Sequence, residues 1–401
     1  MTQVLSPSEC RDHQETGPVL VGGRVIWVDH EQLVVADALG HLSLAINQPL
    51  VLGSDAVGDL VVALVERASE SFVLLSVEQH FPYPEPDGKS EFGRRGLSSR
   101  GRHLAARSQA KQAVRSYFES EQFVEVDTPT AVICPGLDAF VSSWGGLKLQ
   151  HDERFLVTSP ELHMKRLLSA GLPKIYQLCH CFRAEEHGSW HEPEFMMLEW
   201  YRAFSDWNDT MNDTEALMRC VASVIGDNVT QRTLEQPFER LTVSEAFATF
   251  CGIPDVFALA EHDEAAYFQL FVEKVEPRLA TYSRPVFLTH YPLSQAALAR
   301  PCSSESRAAE RYELYFRGRE LCNGFSELTD ATAQRQRFVN ELNRRNTTGE
   351  PVYPIDEAFI NALRQGMPPA SGNALGFDRM VATILGEDRL DAVLAFSYEE
   401  R

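Results

Sequence analysis

The sequence is short of everything that would tie it to a membrane or to an oxidising compartment. In 401 residues, 44% of them apolar, no apolar stretch approaches the roughly 18 residues a membrane helix needs. The first fifteen residues carry Glu9, Asp12 and Glu15 and no apolar segment, so no secretory leader is expected. Eight cysteines are scattered along the chain and only Cys179 and Cys181 stand close together, which excludes a disulfide framework. Positive charge is scarce: 37 Lys and Arg against 57 Asp and Glu give a net charge of −20. Nucleic-acid binders neutralise phosphates with clustered Lys and Arg, so a large nucleic-acid footprint is not expected, although the overall field leaves room for a local basic site. Neither phosphate-loop signature, GxxxxGK[ST] or GxGxxG, is there. What these absences leave is a soluble, cytoplasmic, globular protein of two domains, one of them large.

What is present divides accordingly. Segments 19–28, 32–38, 41–46, 60–66 and 72–77 are β-branched or alternating runs broken by Gly, Asp, Asn and Pro, the pattern of short strands. Five strands in so short a stretch predict a small closed β-barrel of the oligonucleotide-binding (OB) type, a domain of residues 1–88. Its end, FPYPEPDG at 81–88, cannot continue a sheet. Residues 89–104 read as a basic linker and 105–401 as the larger domain, which opens with helical spacing over 103–118. Segment 205–285 reads as helices on its rim. Residues 1–80 hold eleven acids against Arg11, Arg24 and Arg67, a net of −8, whereas 93–118 holds Arg94, Arg95, Arg100, Arg102, Arg107, Lys111 and Arg115 with no acid. That run is either a solvated helix face or a docking strip for an acidic partner or phosphates.

Four segments of the larger part crowd together residue types that packing alone does not require. In TSPELHMKRLL, 158–168, Glu161 follows Ser159-Pro160 where a helix would start. Capping and the dipole favour an anion there; a carboxylate gripping an ammonium is the other reading. In LCHCFRAEEHGSWHEPEFMMLEWY, 178–201, an apolar strand runs into Phe182-Arg183, then a polar turn, then a return strand from Glu194. Arg183 is a planar fork suited to phosphate or carboxylate. Glu199 and Tyr201 alternate with Leu198 and Trp200 and share one face, where they call for a cationic or polar ligand. Cys179 and Cys181 have no matched second pair, so buried thiols are favoured over zinc.

In YELYFRGRELCNGFSELTD, 312–330, Glu313 and Glu320 frame a turn at Gly318, and Glu327 and Asp330 follow. Glutamates on a strand–turn–strand unit need cations, magnesium on phosphates for some and a substrate ammonium for another. Interleaved Leu321, Phe325 and Leu328 predict a half-buried sheet. In SGNALGFDRMVATIL, 371–385, glycines at 372 and 376 precede Asp378-Arg379 and an apolar helical run, which is a phosphate site by geometry and dipole or simply a glycine-padded helix start.

In this order the segments resemble the three signature motifs of class II aminoacyl-tRNA synthetases: FVEVDTP at 123–129 is similar to the dimer-interface motif, FRAEE to the arginine motif and ALGFDR to the third. SPELHMKRL, HEPEFMMLEWY and GRELCNGFSELTDA resemble the lysine-specific branch. The resemblance implies an α+β fold, an antiparallel sheet flanked by helices, carrying the small N-terminal OB-like barrel. Two families fit, lysyl-tRNA synthetases and the elongation factor P lysine ligases, which attach (R)-β-lysine to a protein lysine; a non-catalytic paralogue acting as a binding module is a third reading. FVEVDTP, HMKRLL, LEWYR, HYPLSQAALAR at 290–300 and LAFS at 394–397 resemble the ligases. Ala374 stands where the synthetases carry glycine, and in the ligases an alanine there goes with the pocket for the β-amino acid. Two departures are the N-terminal barrel, which ligases usually lack, and Glu192 in HEPEF, where the family has asparagine near ATP. A tRNA-reading barrel combines basic residues with stacking aromatics, and residues 1–80 have only Trp27 and Phe72 as aromatics.

By resemblance the substrates are ATP with Mg2+, lysine or (R)-β-lysine, and elongation factor P, with tRNA not expected and a homodimer implied. Arg183 would hold the α-phosphate and Arg379 the γ end. Ala184, Glu185 and Glu192 would lie on the nucleotide, Phe195 would stack on the base, and Leu321 and Gly376 would let the backbone approach. Glu313 and Glu320 would hold Mg2+. Glu327 and Tyr201 would bind the side-chain ammonium and Ser159, Pro160, Glu161 and Glu199 the other amine, with Asn323, Phe325 and Ala374 lining the pocket.

Overall fold

The computed structural model describes residues 3–14, 17–48, 50, 52–69, 71–137, 141–149 and 152–401. Two compact units divide the chain, Met1–Ala106 and Arg107–Arg401.

The first unit carries β1 (Val4–Leu5), β2 (Val19–Val28), β3 (Gln32–Ala36), β4 (His41–Ile46), β5 (Leu60–Ala68) and β6 (Ser71–Phe81). They hydrogen-bond in the order β1-β2-β3-β4-β6-β5, and β5 also pairs back onto β2, from Val19 opposite Val65 to Arg24 opposite Leu60. Alternation in these strands turns Val21, Val25, Leu33, Val35, Leu44, Val61, Ala63 and Val65 into one buried cluster. β3 stops two residues short of the sequence expectation because Asp37 accepts the backbone N–H groups of Leu39 and Gly40, an Asx turn that ends the ladder. Part of the segment read as a basic linker is helical, Glu91–Arg95 with Ser90 as N-cap, and the helix Arg100–Ser120 begins before its end.

The second unit adds β7 (Val124–Glu125), β8 (Ala131–Val132), β9 (Leu147–Leu149), β10 (Asp152–Leu156), β11 (Lys174–Phe182), β12 (Glu194–Ala203), β13 (Glu239–Thr242), β14 (Val286–Thr289), β15 (Arg311–Phe316), β16 (Arg319–Ser326) and β17 (Ala370–Gly376). Eight of them form one sheet in the order β13-β14-β15-β16-β17-β12-β11-β7. It is antiparallel from β14 to β11 and parallel only at its two outer pairs. Residues 205–285 are mainly helical, broken by the strand β13, and Asp206, Asp227, Thr242, Asp255 and Asp263 each cap a helix start with a side-chain oxygen, the residue types that position selects. The mixture of helices with a mainly antiparallel sheet is α+β. Among the described residues no single helix is long and apolar enough to cross a membrane.

Strand alternation sorts the sheet's two faces. Leu198, Trp200, Leu314, Leu375 and Tyr312 join Phe118 and Phe377 in one buried layer. The opposite face is where the charged residues go. There the register forms a row across four strands: Glu313 faces Asn323, Asn323 faces Ala374, and Ala374 faces Glu199. A second row two residues along runs Arg311, Phe325, Gly372 and Tyr201. Gly372 is required by that row, since a Cβ there would lie 2.3 Å from the Tyr201 ring. The β15–β16 hairpin turns at Arg317-Gly318, with φ of 51° and 73°. Two positive φ values make the mirror-image turn that matches strand twist, and glycine supplies the second without strain.

Candidate active site

Over these two rows lies a cavity of about 940 Å³. It is lined by Ser159, Glu161, Arg183, Glu192, Phe195, Glu199, Tyr201, Glu313, Glu320, Leu321, Asn323, Phe325, Ala374, Gly376 and Arg379. Four residues singled out in the sequence are not in its wall: Pro160, Ala184, Glu185 and Glu327. Glu185 is exposed at a positive φ of 69°, and it is Glu186 that lines the cavity, 3.5 Å from the Arg183 guanidinium. Glu327 is buried out of reach of solvent.

One end of the cavity is acidic. Glu199, on β12, accepts hydrogen bonds from the Tyr201 hydroxyl at 2.6 Å and the Ser159 hydroxyl at 2.8 Å. Burial, then the neighbouring Glu161 charge, pushes its carboxyl up to about 8. Glu161 lies in the first turn of the helix Glu161–Ser169, whose N-cap is Pro160; the Glu161 carboxylate takes a hydrogen bond from Lys165 one turn on. Lys165 Nζ also lies 2.5 Å from Glu327 Oε2, and the Glu327 carboxyl, buried, is likewise pushed up to about 8. Burial alone would lower the Lys165 ammonium, but Glu161 and Glu327 outweigh it and hold it above its ordinary range. Glu327 Oε1 has no hydrogen-bond partner among the described residues.

The other groups are set for anions and cations in alternation. Arg183 follows β11; its guanidinium lies 5.2 Å over the Phe195 ring and its buried Nε has no partner among the described residues. Arg379 stands in the first turn of the helix Phe377–Leu385, donating to the Trp190 and Glu320 carbonyls. Beside it Asp378 is spoken for, accepting Met196 N–H at 2.8 Å and Arg107 Nε at 2.8 Å. Arg107 is thereby taken out of the basic run, as is Arg115 by Glu125.

Glu313 accepts from the Tyr291 and Tyr315 hydroxyls and from Arg311, while Glu320 is pushed up to about 7 by burial in the cleft and by Glu313. Among the described residues no three His, Cys, Asp or Glu side chains form a metal cluster. Magnesium is commonly held by one or two carboxylates plus substrate phosphates, and a raised Glu320 carboxyl beside Glu313 fits that demand, as the orphaned Arg183 Nε fits an anionic oxygen.

Glu192 has a different neighbourhood. It is buried, its carboxyl raised by burial, and it accepts Tyr398 N–H at 2.9 Å with Arg401 3.9 Å away. Cys179 and Cys181 are free thiols 3.9 Å apart, Cys181 buried.

Besides Glu186, two charged residues that hold the site's carboxylates, Lys165 and Arg311, escaped the sequence reading. Lys165 was visible only as an i, i+4 partner of Glu161. Arg311 shares the strand face of Glu313, two residues on, and also donates from Nε to Asn323 at 2.9 Å, tying the acidic end to the carboxylate pair.

The family described as "tRNA synthetases class II (D, K and N)" matches residues 97–400. The chain is similar to proteins named elongation factor P–(R)-β-lysine ligase. One from Edwardsiella ictaluri (strain 93-146) is 40% identical over 312 residues, covering 74% of this chain and 95% of the relative. One from Photorhabdus laumondii subsp. laumondii is 40% identical over 314 residues, with 74% and 94% covered. One from Pectobacterium atrosepticum is 38% identical over 312 residues, with 74% and 95% covered.

Proposed function

The chain belongs to the class II tRNA synthetase family (D, K and N), in its elongation factor P–(R)-β-lysine ligase branch, and from that premise we propose that it activates lysine, specifically (R)-β-lysine, with ATP and passes it to a lysine of elongation factor P. The observation that carries the reading is that one cavity holds groups suited to both reactants, the carboxylates of Glu161 and Glu199 for a diamino acid and the guanidinium groups of Arg183 and Arg379 for a triphosphate.

In the first step a carboxylate oxygen of the amino acid attacks the α-phosphorus of ATP, the bond to the β-phosphate oxygen breaks, and pyrophosphate leaves. This draws on positioning and charge neutralisation more than on a protein nucleophile. Arg183 would hold the α-phosphate and Arg379 the γ end; Phe195 would stack on the base, with Leu321 and Gly376 beside the nucleotide. Glu313 and Glu320 would hold Mg2+, which supplies charge neutralisation to the phosphates. Ser159, Glu161, Glu199 and Tyr201 would take the ammonium groups, with Glu327 behind them and Asn323, Phe325 and Ala374 shaping the space between. In the second step the acceptor amine attacks the adenylate carbonyl, an amide bond forms, the amine loses a proton and AMP departs with the electrons of the broken C–O bond.

The ring of pairings β2-β3-β4-β6-β5-β2 supports an OB-like barrel over residues 1–88, with 89–104 joining it to a catalytic domain of 105–401. The net charge of −8 over residues 1–80 argues against tRNA as a partner. A cytoplasmic homodimer, formed through 123–129 at the β7 edge of the sheet, completes the proposal. The test is to incubate the protein with ATP and labelled lysine or (R)-β-lysine and then to offer elongation factor P or tRNA. Label on the protein is the expected result. Label on the RNA would make it a tRNA synthetase, and label on neither would make it a non-catalytic paralogue.

A further inference from the structure

The connection from β11 to β12, residues 183–193, contains a single large apolar side chain, Trp190. Its ring packs against the main core, yet it also stands in the walls of two cavities, that of the active site and a smaller one of about 390 Å³. Arg319, the first residue of β16, lines the smaller cavity and sets its guanidinium 4.4 Å over the indole. That guanidinium has no carboxylate partner among the described residues. One terminal nitrogen donates to the Gly318 carbonyl at 3.1 Å, and the buried Nε has no partner. A cation committed to no acid and stacked on an indole face is a cation–π contact, in the geometry that arginine favours.

The backbone of the same tryptophan reaches into the active site. Trp190 O accepts Arg379 Nε at 3.1 Å, and Arg379 Nη1 donates to Glu320 O at 3.3 Å. Two carbonyl oxygens therefore orient the guanidinium plane and leave Nη2 without a partner among the described residues. The Glu320 carbonyl is fixed by the sheet. The Trp190 carbonyl is only as fixed as its own residue, whose ring has open space on one side and Arg319 across it. Ser189 next to it is tied separately, its carbonyl accepting Leu390 N–H at 2.9 Å. Losing the stacked cation would leave the connection on its course and free the indole to shift towards the smaller cavity, drawing its carbonyl off Arg379.

We propose that Arg319 and Trp190 are positioning residues: Arg319 clamps the indole, the Trp190 carbonyl holds Arg379 Nε, and Arg379 is thereby aimed at the far end of the triphosphate. This deepens the ATP-using reading and rests on it.

The experiment measures binding of ATP and of ADP, each with Mg2+, to the full chain by titration calorimetry, with lysine-dependent ATP–pyrophosphate exchange alongside. Only ATP extends to the γ end, where Arg379 stands. A loss confined to ATP therefore reports Arg379, whereas a general loosening of the cleft weakens both nucleotides. Arg319→Met keeps an apolar stem on the indole and removes the charge. It is expected to weaken ATP at least tenfold, with ADP affinity and the KM for lysine each within threefold. Arg319→Lys, which puts a cation back over the ring, should bind ATP within threefold of the unaltered protein. Trp190→Ala should also weaken ATP at least tenfold, and the double variant should lie within threefold of the weaker single, because either change alone opens the clamp. The Arg319 variants decide the matter even if Trp190→Ala fails to fold. An unaltered protein that neither binds ATP nor supports exchange with lysine or (R)-β-lysine overturns the functional reading and this inference with it. With the unaltered protein active, the inference alone is overturned if Arg319→Met weakens ATP less than tenfold, if ADP weakens with it, if Arg319→Lys binds no better than Arg319→Met, or if the two single effects add in the double variant.

Discussion

Replacing Glu199 by glutamine should make the protein less active and more stable, and the pH dependence of the second effect identifies its cause. The Glu199 carboxyl holds its proton to about 8 in the folded protein against an ordinary value of 4.5. Between those two values the folded state binds a proton that the unfolded chain has lost, so this group makes stability fall as pH rises, with the full cost reached above about pH 8. Glutamine keeps an acceptor for the Tyr201 hydroxyl and an amide beside Ser159, and it removes the ionisation. The effective penalty for a buried ion is several kcal/mol, and a unit this large gains about 2 °C in Tm per kcal/mol. A rise of several degrees is expected at pH 8 without ligand, shrinking towards nothing at pH 5. Activity moves the other way. Removing one partner of a buried ammonium–carboxylate pair costs about 3–5 kcal/mol, which at about 1.4 kcal/mol per tenfold is about two to three and a half powers of ten in kcat/KM for lysine. Differential scanning fluorimetry across pH and pyrophosphate exchange read the two effects. A Tm gain that does not depend on pH, or exchange within tenfold of the unaltered protein, would refute the assignment.

Three further outcomes are expected. Ala374→Gly widens the space between Asn323 and Glu199 and should shift the kcat/KM ratio towards α-lysine; an unchanged ratio counts against a role for this methyl group. Gly372→Ala drives a methyl group into the Tyr201 ring and should cost about 1–3 kcal/mol of stability by overpacking, with a raised KM for lysine, read by urea denaturation and exchange together. Deacylated lysine tRNA should show no micromolar binding in a gel shift, and binding at that level would overturn the case against tRNA made from the acidic first unit.

Local pattern made part of this structure legible. Leu198-Glu199-Trp200-Tyr201 alternates, and alternation alone says that the glutamate and phenol share a face. The β15–β16 hairpin is written in Arg317-Gly318 and the half-buried residues on either side. What no local pattern states is that β17 inserts between β16 and β12, since their pairings join residues far apart in the chain. The row from Glu313 to Glu199 exists only through that insertion. Glu161 shows the limit from the other side: its place at a helix start suggested a cap, and the deciding fact was the ammonium of Lys165 four residues on. At Glu192 a polar residue in a binding motif turned out to hold the Tyr398 backbone, a contact that pattern reading has no means of seeing.

The four-strand row also governs when binding competence can arise. Glu313, Asn323, Ala374 and Glu199 become neighbours only after segments from the middle and the end of the chain have paired, the kind of non-local closure that is slow to form. A partly folded chain therefore has nowhere to put a diamino acid. Ligand binds the completed sheet alone, and mass action returns its binding energy to the unit as a whole, so lysine protects the β11–β12 hairpin and the distant β13–β14 edge together.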